Sequence, residues 1–160
     1  MSDGYSLSAL LAQEAALQFS FFNNESAWQL GCRLKQLAEA KEASVTIEVY
    51  AFNQPLFCYV MSGKHPDNQD WVKRKRQTVL RFGHSSAYIG QYNHAKKRDF
   101  EQQAHINALD YCAHGGSFPL QIKNAGIIGA VTVSGLPSAE DHQMVIDAIA
   151  YLIKNQQTSL

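Results

Sequence analysis

The first residue that could do chemistry is a lysine within an apolar helical stripe. On a helical wheel of about 100° per residue, Lys75 points in the same direction as Trp71, Thr78, Val79 and Phe82. A buried ammonium needs a carboxylate, a carbonyl or an anionic ligand. Alternatively, the aliphatic stem packs while the ammonium reaches water beside Trp71. The rarity of buried lysines favours this second interpretation.

The second candidate site is the sequence His114-Gly115-Gly116-Ser117. Two glycines let a backbone approach closely, and successive N–H groups can form an anion-binding nest. His114 can act there as a base, a hydrogen-bond donor or an axial ligand. A tight turn leading into a strand at Phe118 would use the same glycines. The sequence leaves the binding site and the turn about equally supported.

Further basic residues lie on the predicted helix of Lys75. Arg74 and Arg81 belong to a basic run that also contains Lys73 and Arg76. Such a run can bind phosphates, carboxylates or haem propionates. The helical wheel separates Arg76 from Arg74 and Arg81, so the charges do not form one dense patch. A solvated helix face is the favoured interpretation, with ligand binding by Arg74 and Arg81 as the alternative.

Neither a serine hydrolase nor a metal site is predicted. His114-Gly115-Gly116 resembles an oxyanion-hole loop, but the chain has no Gly-x-Ser-x-Gly sequence to supply the nucleophile. Ser85 and Ser86 are instead expected to cap a helix or line a pocket. The histidines show neither His-x-x-x-His spacing nor a Cys-x-x-Cys partner, so no structural zinc is expected.

Composition limits the classes of partner. A chain of 160 residues suits a single domain, residues 1–160, with a full core. Fourteen basic and fourteen acidic residues give zero net charge, which argues against nucleic acid or an anionic membrane as partner. The start of the chain lacks a basic region, and the three cysteines are widely spaced. We therefore expect mostly buried, reduced thiols in a cytoplasmic protein.

The chain pattern predicts an α+β domain. Alternating residues indicate a short strand at Phe19–Phe21 and two hairpins, one over residues 45–61 and one over 118–133. Asn23 or Asn24 is expected to cap a helix, and residues 138–141 resemble a capping box. A helix-rich segment separates the hairpins. Hairpins separated by helices predict an antiparallel sheet with helices packed on it.

Three stretches resemble the HbpS-like family, also known as GlcG or haem-degrading domain proteins. They are residues 45–63, residues 71–79, and residues 115–135 followed by Asp141. Trp71, residues 82–86 and His114 resemble a cytoplasmic branch of that family. The resemblance implies a profilin-like layered fold with a five-stranded antiparallel sheet, and assembly into symmetric homo-oligomers. It also implies haem as a cofactor, while some relatives are associated with cobalamin or glycolate metabolism.

Three functions remain open at this level. The first is an oligomeric protein that binds haem or another small anionic molecule through His114, the glycines, Ser117, Lys75 and its helix. The second is a small-molecule enzyme that uses Lys75 or His114 as acid or base. The third is a non-catalytic assembly protein. The first two require that the turn before Phe118 and the helix of Lys75 meet at one cavity.

Overall fold

The computed structural model describes residues 4–158. Its helices are α1 (Leu7–Ala16), α2 (Asn24–Ala40), α3 (Pro66–Phe82), α4 (Ser86–Ala95) and α5 (Ser138–Thr158), with a short 3₁₀ helix over Phe100–Gln102. Its strands are β1 (Thr46–Ala51), β2 (Gln54–Val60), β3 (Ser117–Ile122) and β4 (Gly126–Ser134). Both predicted hairpins are present, and the α+β class is confirmed. None of the helices in the described range combines the length and apolarity needed to cross a bilayer.

The four strands form one antiparallel sheet in the order β2-β1-β4-β3. The prediction of five strands is therefore wrong for the described chain. The segment at Phe19 makes only an isolated parallel bridge to Ile122. Its N–H donates to the Gln121 carbonyl, and its carbonyl accepts from the Lys123 N–H, both at 2.8 Å. It extends no further because Asn23, four residues on, already caps α2 by accepting from a backbone N–H.

One face of the sheet carries the hydrophobic core. Strand alternation places apolar side chains of three strands on this face, among them Ile47, Val49, Phe118, Leu120, Val131 and Val133. Helices α2 and α5 cover them with residues spaced at three and four positions, among them Leu30, Leu34, Val145 and Ile149. This apolar layer fixes where α5 begins, and therefore where its first-turn side chains lie.

The opposite face of the sheet is polar and is covered by α3. Buried Thr132 bonds to Ser117 Oγ at 2.8 Å, and Glu48 Oε1 lies 2.7 Å from Arg76 Nε of α3. The alternation that sends valines to the core sends these polar side chains toward α3. Helix α3 consequently packs on hydroxyl and carboxylate groups, and its buried stripe can contain a charged residue, Lys75.

The three thiols are free, but only Cys112 is buried. Cys58 is exposed and Cys32 is half-buried. The expectation of mostly buried thiols is therefore wrong. Cys58 is exposed because β2 is an edge strand with most of its residues open to solvent.

Candidate functional site

Lys75 lies in the middle of α3 and is only 4% exposed. It shares the buried stripe of this helix with Val72, Thr78 and Val79. The favoured interpretation, in which its ammonium reaches water beside Trp71, is therefore wrong. The other interpretation, a buried ammonium with a carboxylate or carbonyl partner, is correct.

The partners of Lys75 are a carboxylate and a carbonyl. Its Nζ lies 3.1 Å from Asp141 Oδ2 and 3.2 Å from the Val133 carbonyl oxygen. An ammonium has three N–H bonds. Within residues 4–158 these are its two hydrogen-bond acceptors, so the third N–H has no acceptor in that range.

Asp141 is held in place by the turn that precedes α5. Its Oδ1 accepts a hydrogen bond from the Leu136 N–H at 3.0 Å, while Oδ2 faces Lys75. Burial raises the pKa of Asp141 to about 6, against the lowering effect of Lys75 and of the N–H groups of Leu136 and Gly135. The carboxyl group therefore changes its charge closer to neutral pH than an exposed aspartate does.

The two glycines before β3 allow the backbone to approach this ion pair. Gly116 has a φ of 137°, and a Cβ there would lie 2.5 Å from the Val133 carbonyl and 2.7 Å from Lys75 Nζ. A Cβ on Gly115 would lie 2.7 Å from the Ser138 carbonyl. Both positions therefore require glycine for close packing.

Ser117 does not contribute to an anion nest. Its N–H donates to Ser86 Oγ at 3.0 Å, and its own hydroxyl bonds to Thr132. Ser117 therefore joins the glycine turn to α4 and β4.

His114 is exposed and stands at the entrance to a cavity of about 320 Å³. Its ring packs edge-to-face on Trp71, with centroids 5.6 Å apart. The cavity is lined by residues of α3, of the turn before β3 and of the β4–α5 connection: Asn68, Trp71, Lys75, His114, Ser134, Gly135, Leu136, Ser138 and Asp141. The sequence required Lys75 and His114 to meet at one hollow, and they do.

The other predicted site residues lie outside this cavity. Arg74 forms an ion pair with Asp70 at 3.0 Å and covers the ring of Trp71, 3.9 Å from its centroid. Arg81 lies over the rings of Phe82 and Tyr111. The interpretation of these arginines as a solvated helix face holds for exposed Arg81, whereas the Arg74 side chain is only 16% exposed.

The two predicted serines are used in the structure of the chain itself. Ser85 caps α4 by accepting from the Tyr88 N–H at 3.1 Å, and Ser86 is buried against Ser117. The cap that the sequence predicted for Ser85 or Ser86 is therefore made by Ser85.

The sequence interpretation missed Asp141 as a site residue. It placed this residue in the capping of the last helix, whereas its carboxylate accepts from the Leu136 N–H in the preceding turn and from Lys75. The available signal was Lys75 itself, because a buried ammonium needs an anionic or polar partner. Asn68, Ser134 and Ser138 carry no comparable signal, since hydroxyl and amide residues occur on most surfaces.

A larger hollow of about 550 Å³ lies between α2 and α5. Arg33 at its wall lies over the Tyr151 ring, 3.9 Å from the centroid. Chemistry distinguishes the smaller cavity, because it contains a buried ion pair and an exposed imidazole. No group of three or more histidine, cysteine or acidic residues in the described part of the chain is arranged to hold a metal ion.

Residues 22–150 match the family described as "Haem degrading protein HbpS-like". This chain belongs to the HbpS-like family. The match spans both hairpins, α3 and every residue that lines the Lys75 cavity. The resemblance stated from the sequence motifs is confirmed.

Several known proteins resemble most of this chain. A UPF0303 protein of Psychromonas ingrahamii is 67% identical over 159 residues, which cover 99% of this chain and 100% of the relative. The crystal structure of the Ybr137w protein is 30% identical and superposes with a TM-score of 0.86, covering 96% of this chain and 91% of that one. The structure titled "PduOC:Heme Complex" is 16% identical with a TM-score of 0.69, covering 81% and 93%, which shows a shared fold.

Proposed function

We propose that this HbpS-like protein binds a small anionic ligand in the Lys75 cavity. The observation that carries the proposal is the convergence of Lys75, His114 and Asp141 from three separate elements on one hollow. Its volume of about 320 Å³ is at the lower end of the range found for small-molecule sites. A compact ligand suits it better than an extended one.

The cavity residues offer the ligand different kinds of contact. Lys75 offers its remaining N–H to an acceptor oxygen of the ligand, and the exposed His114 imidazole offers a second polar contact. Trp71 and Leu136 supply the apolar wall, while Asn68, Ser134 and Ser138 supply hydrogen-bonding groups. Polar groups outnumber apolar ones in this lining, which suits a small charged ligand better than an apolar one.

Thermal-shift and calorimetric titrations with a panel of small carboxylates and phosphates test this proposal. Lys75→Met should abolish a saturable signal, whereas Lys73→Met should retain it. Lys73 is the matched control, because it lies on the same helix but has a half-exposed ammonium near Asp110. Equal binding by both variants, or no saturable signal from the unsubstituted chain, would contradict the proposal.

Haem is the second candidate ligand, because the family description names haem and one structural neighbour is titled a haem complex. The macrocycle does not fit as an enclosed ligand here. Two of the lining residues, Trp71 and Leu136, are apolar, and the volume of about 320 Å³ is at the lower end of the range for small-molecule sites. Haem would have to lie outside the cavity against exposed His114. A saturable Soret shift on haem addition that His114→Ala removes would support it, and a shift unchanged by His114→Ala would not.

Catalysis at the same cavity is a further alternative. His114 is exposed and can exchange protons with solvent, whereas Lys75 is engaged by Asp141 and Val133. We therefore assign any acid or base role to His114 in preference to Lys75. Turnover of a bound ligand that stops in His114→Gln while binding persists would establish such an activity.

We propose that the protein forms a homo-oligomer through the β2 edge. The opposite edge, β3, is partly covered by the bridge at Phe19, whereas β2 contains no charged residue and exposes Tyr59 and Val60. Uncharged edge strands readily pair with other strands. Light scattering should report a closed oligomer that Val60→Lys dissociates. A monomer, or an oligomer unaffected by this change, would contradict the assignment.

We also propose a cytoplasmic location. The three free thiols support it, because oxidising compartments favour disulfides. Cell fractionation with a tagged chain tests this directly.

A further inference from the structure

Lys75 and Asp141 neutralise each other inside the cavity. Their side chains are 5% and 1% exposed, and they lie within hydrogen-bonding distance. Their charges sum to zero, so an entering anion meets no net positive charge from this pair. Anion binding at Lys75 therefore requires a change in the charge of the site.

The ionisable groups around the Lys75–Asp141 pair come from four segments: Lys75 of α3, His114 and Cys112 of the segment before β3, Glu140 and His142 next to Asp141 in α5, and Lys64 of the β2–α3 connection. The Lys64 ammonium donates to the Gly135 carbonyl at 3.4 Å. Burial raises the pKa of the Cys112 thiol and lowers the pKa of His142 to about 4, so both are neutral near pH 7. The end of β4 contributes the hydroxyl of Ser134, which has no charge. Lys75 is the partner of Asp141, and His114 is the other cavity-lining residue that a variant must test.

A carboxylate ligand at Lys75 would place two carboxylates beside one ammonium. This arrangement leaves a net negative charge in a buried site, which is strongly unfavourable. One proton on Asp141 removes that charge. Protonated Asp141 can still accept the Leu136 N–H through Oδ1, so the turn before α5 is retained.

Building on the proposed function, we infer that the ligand is a small carboxylate or similar monoanion that binds together with one proton, which Asp141 takes up. The proton moves from solvent to Asp141 Oδ2. The ligand carboxylate accepts from the remaining N–H of Lys75 Nζ and replaces Asp141 as the counter-charge of this ammonium. Asp141 thus acts as an internal counter-ion that competes with the ligand for Lys75.

The position of the Asp141 pKa makes this exchange accessible near neutral pH. Burial raises it to about 6 in the ligand-free protein. Uptake of one proton predicts that ligand affinity falls about tenfold per pH unit above that value. Below it, Asp141 is already protonated and the affinity levels off.

Benzoate is a suitable probe, because its carboxylate stays ionised above pH 6 and its ring can contact Trp71 and Leu136. Calorimetric titration of the full chain in two buffers of different ionisation enthalpy counts the protons taken up. We expect about one proton per benzoate at pH 8 and the tenfold decline in affinity per pH unit. Binding with no proton uptake would overturn this inference and leave the proposed function intact.

Two variants identify the titrating group. Asp141→Asn keeps the acceptor for Leu136 but removes the competing charge, so it should bind benzoate at pH 8 at least tenfold more tightly than the unsubstituted chain. His114→Gln should retain the decline with pH. A decline that persists in Asp141→Asn and disappears in His114→Gln would assign the proton to His114. Absence of benzoate binding in folded Asp141→Asn, which leaves Lys75 without its counter-ion, would overturn both this inference and carboxylate binding.

Discussion

The Lys75 ammonium and the Asp141 carboxylate lie 3.1 Å apart although 66 positions separate them in the chain. Helix α3 supplies the cation, and the first turn of α5 supplies the anion. Near the end of β4, the Val133 carbonyl accepts a second hydrogen bond from the Lys75 ammonium. The pair therefore links three elements of the fold, and its loss should affect stability as well as ligand binding.

Lys75→Met should destabilise the protein in a pH-dependent manner. The substitution keeps most of the side-chain volume but leaves Asp141 buried without its cation, which costs about 3–5 kcal/mol for a typical buried pair. Because Lys75 lowers the pKa of Asp141, its removal raises that pKa further above the unfolded value. The free energy of unfolding should then fall as pH rises from 5 to 8, as measured by urea denaturation.

The double variant Lys75→Met with Asp141→Asn is the control for that prediction. It contains no buried carboxylate, so most of the lost stability should return and the pH dependence should shrink. A double variant as unstable as Lys75→Met would show that packing around residue 75, rather than the unpaired charge, dominates.

Gly116→Ala should be more destabilising than Gly126→Ala. Both glycines have a positive φ, 137° and 92°, which a side chain adopts with strain of about 1–3 kcal/mol. A Cβ at position 126 has no atom within 4 Å, whereas one at 116 would collide with the Val133 carbonyl and with Lys75 Nζ. We expect an additional loss of about 2 kcal/mol for Gly116→Ala in chemical denaturation. Equal losses would mean that the turn can move away from Lys75 at little cost.

His142→Gln should make the protein less sensitive to mild acid. His142 is fully buried, and burial lowers its pKa to about 4 from an ordinary value of 6.5. As the pH falls, the unfolded chain therefore binds this proton before the folded chain does. The contribution of His142 to the free energy of unfolding is fully present above pH 6.5 and is lost as the pH falls toward 4. The loss attributable to His142 is roughly 3 kcal/mol.

The free energy of unfolding is measured as a function of pH for the unsubstituted protein and for His142→Gln, and the difference between the two is compared. Asp141, whose pKa is raised, contributes with the opposite sign in the same range and is common to both chains. The difference therefore isolates His142. A constant difference between pH 4 and pH 7 would contradict the buried, neutral state of this ring.

Local sequence patterns were sufficient for most elements of the fold. Alternation over residues 45–49 and 118–122 predicted β1 and β3, and a cap was predicted at Asn23 or Asn24, of which the structure uses Asn23. These features depend on contacts between near neighbours, which the sequence specifies directly. The extended run at Phe19 was overestimated as a strand, because the number of residues that pair depends on where α2 begins and on the position of β3.

The surroundings of each candidate side chain depended on packing. A helical wheel gives the direction of Lys75 correctly, yet it does not say whether water, a carboxylate or a ring lies in that direction. The structure places the Asp141 carboxylate against the Lys75 ammonium and Arg74 over the Trp71 ring. It also shows the Ser117 N–H donating to the Ser86 hydroxyl.

The sequence by itself determined the helices and hairpins, the zero net charge and the two motifs that contain Lys75 and His114. The tertiary structure alone decided that these motifs meet at one cavity and that Asp141 completes it. The physical reason is distance along the chain. Side-chain spacing within one helix or strand follows from backbone geometry, whereas contacts across 39 or 66 positions follow from how α3 and α5 pack on the same sheet.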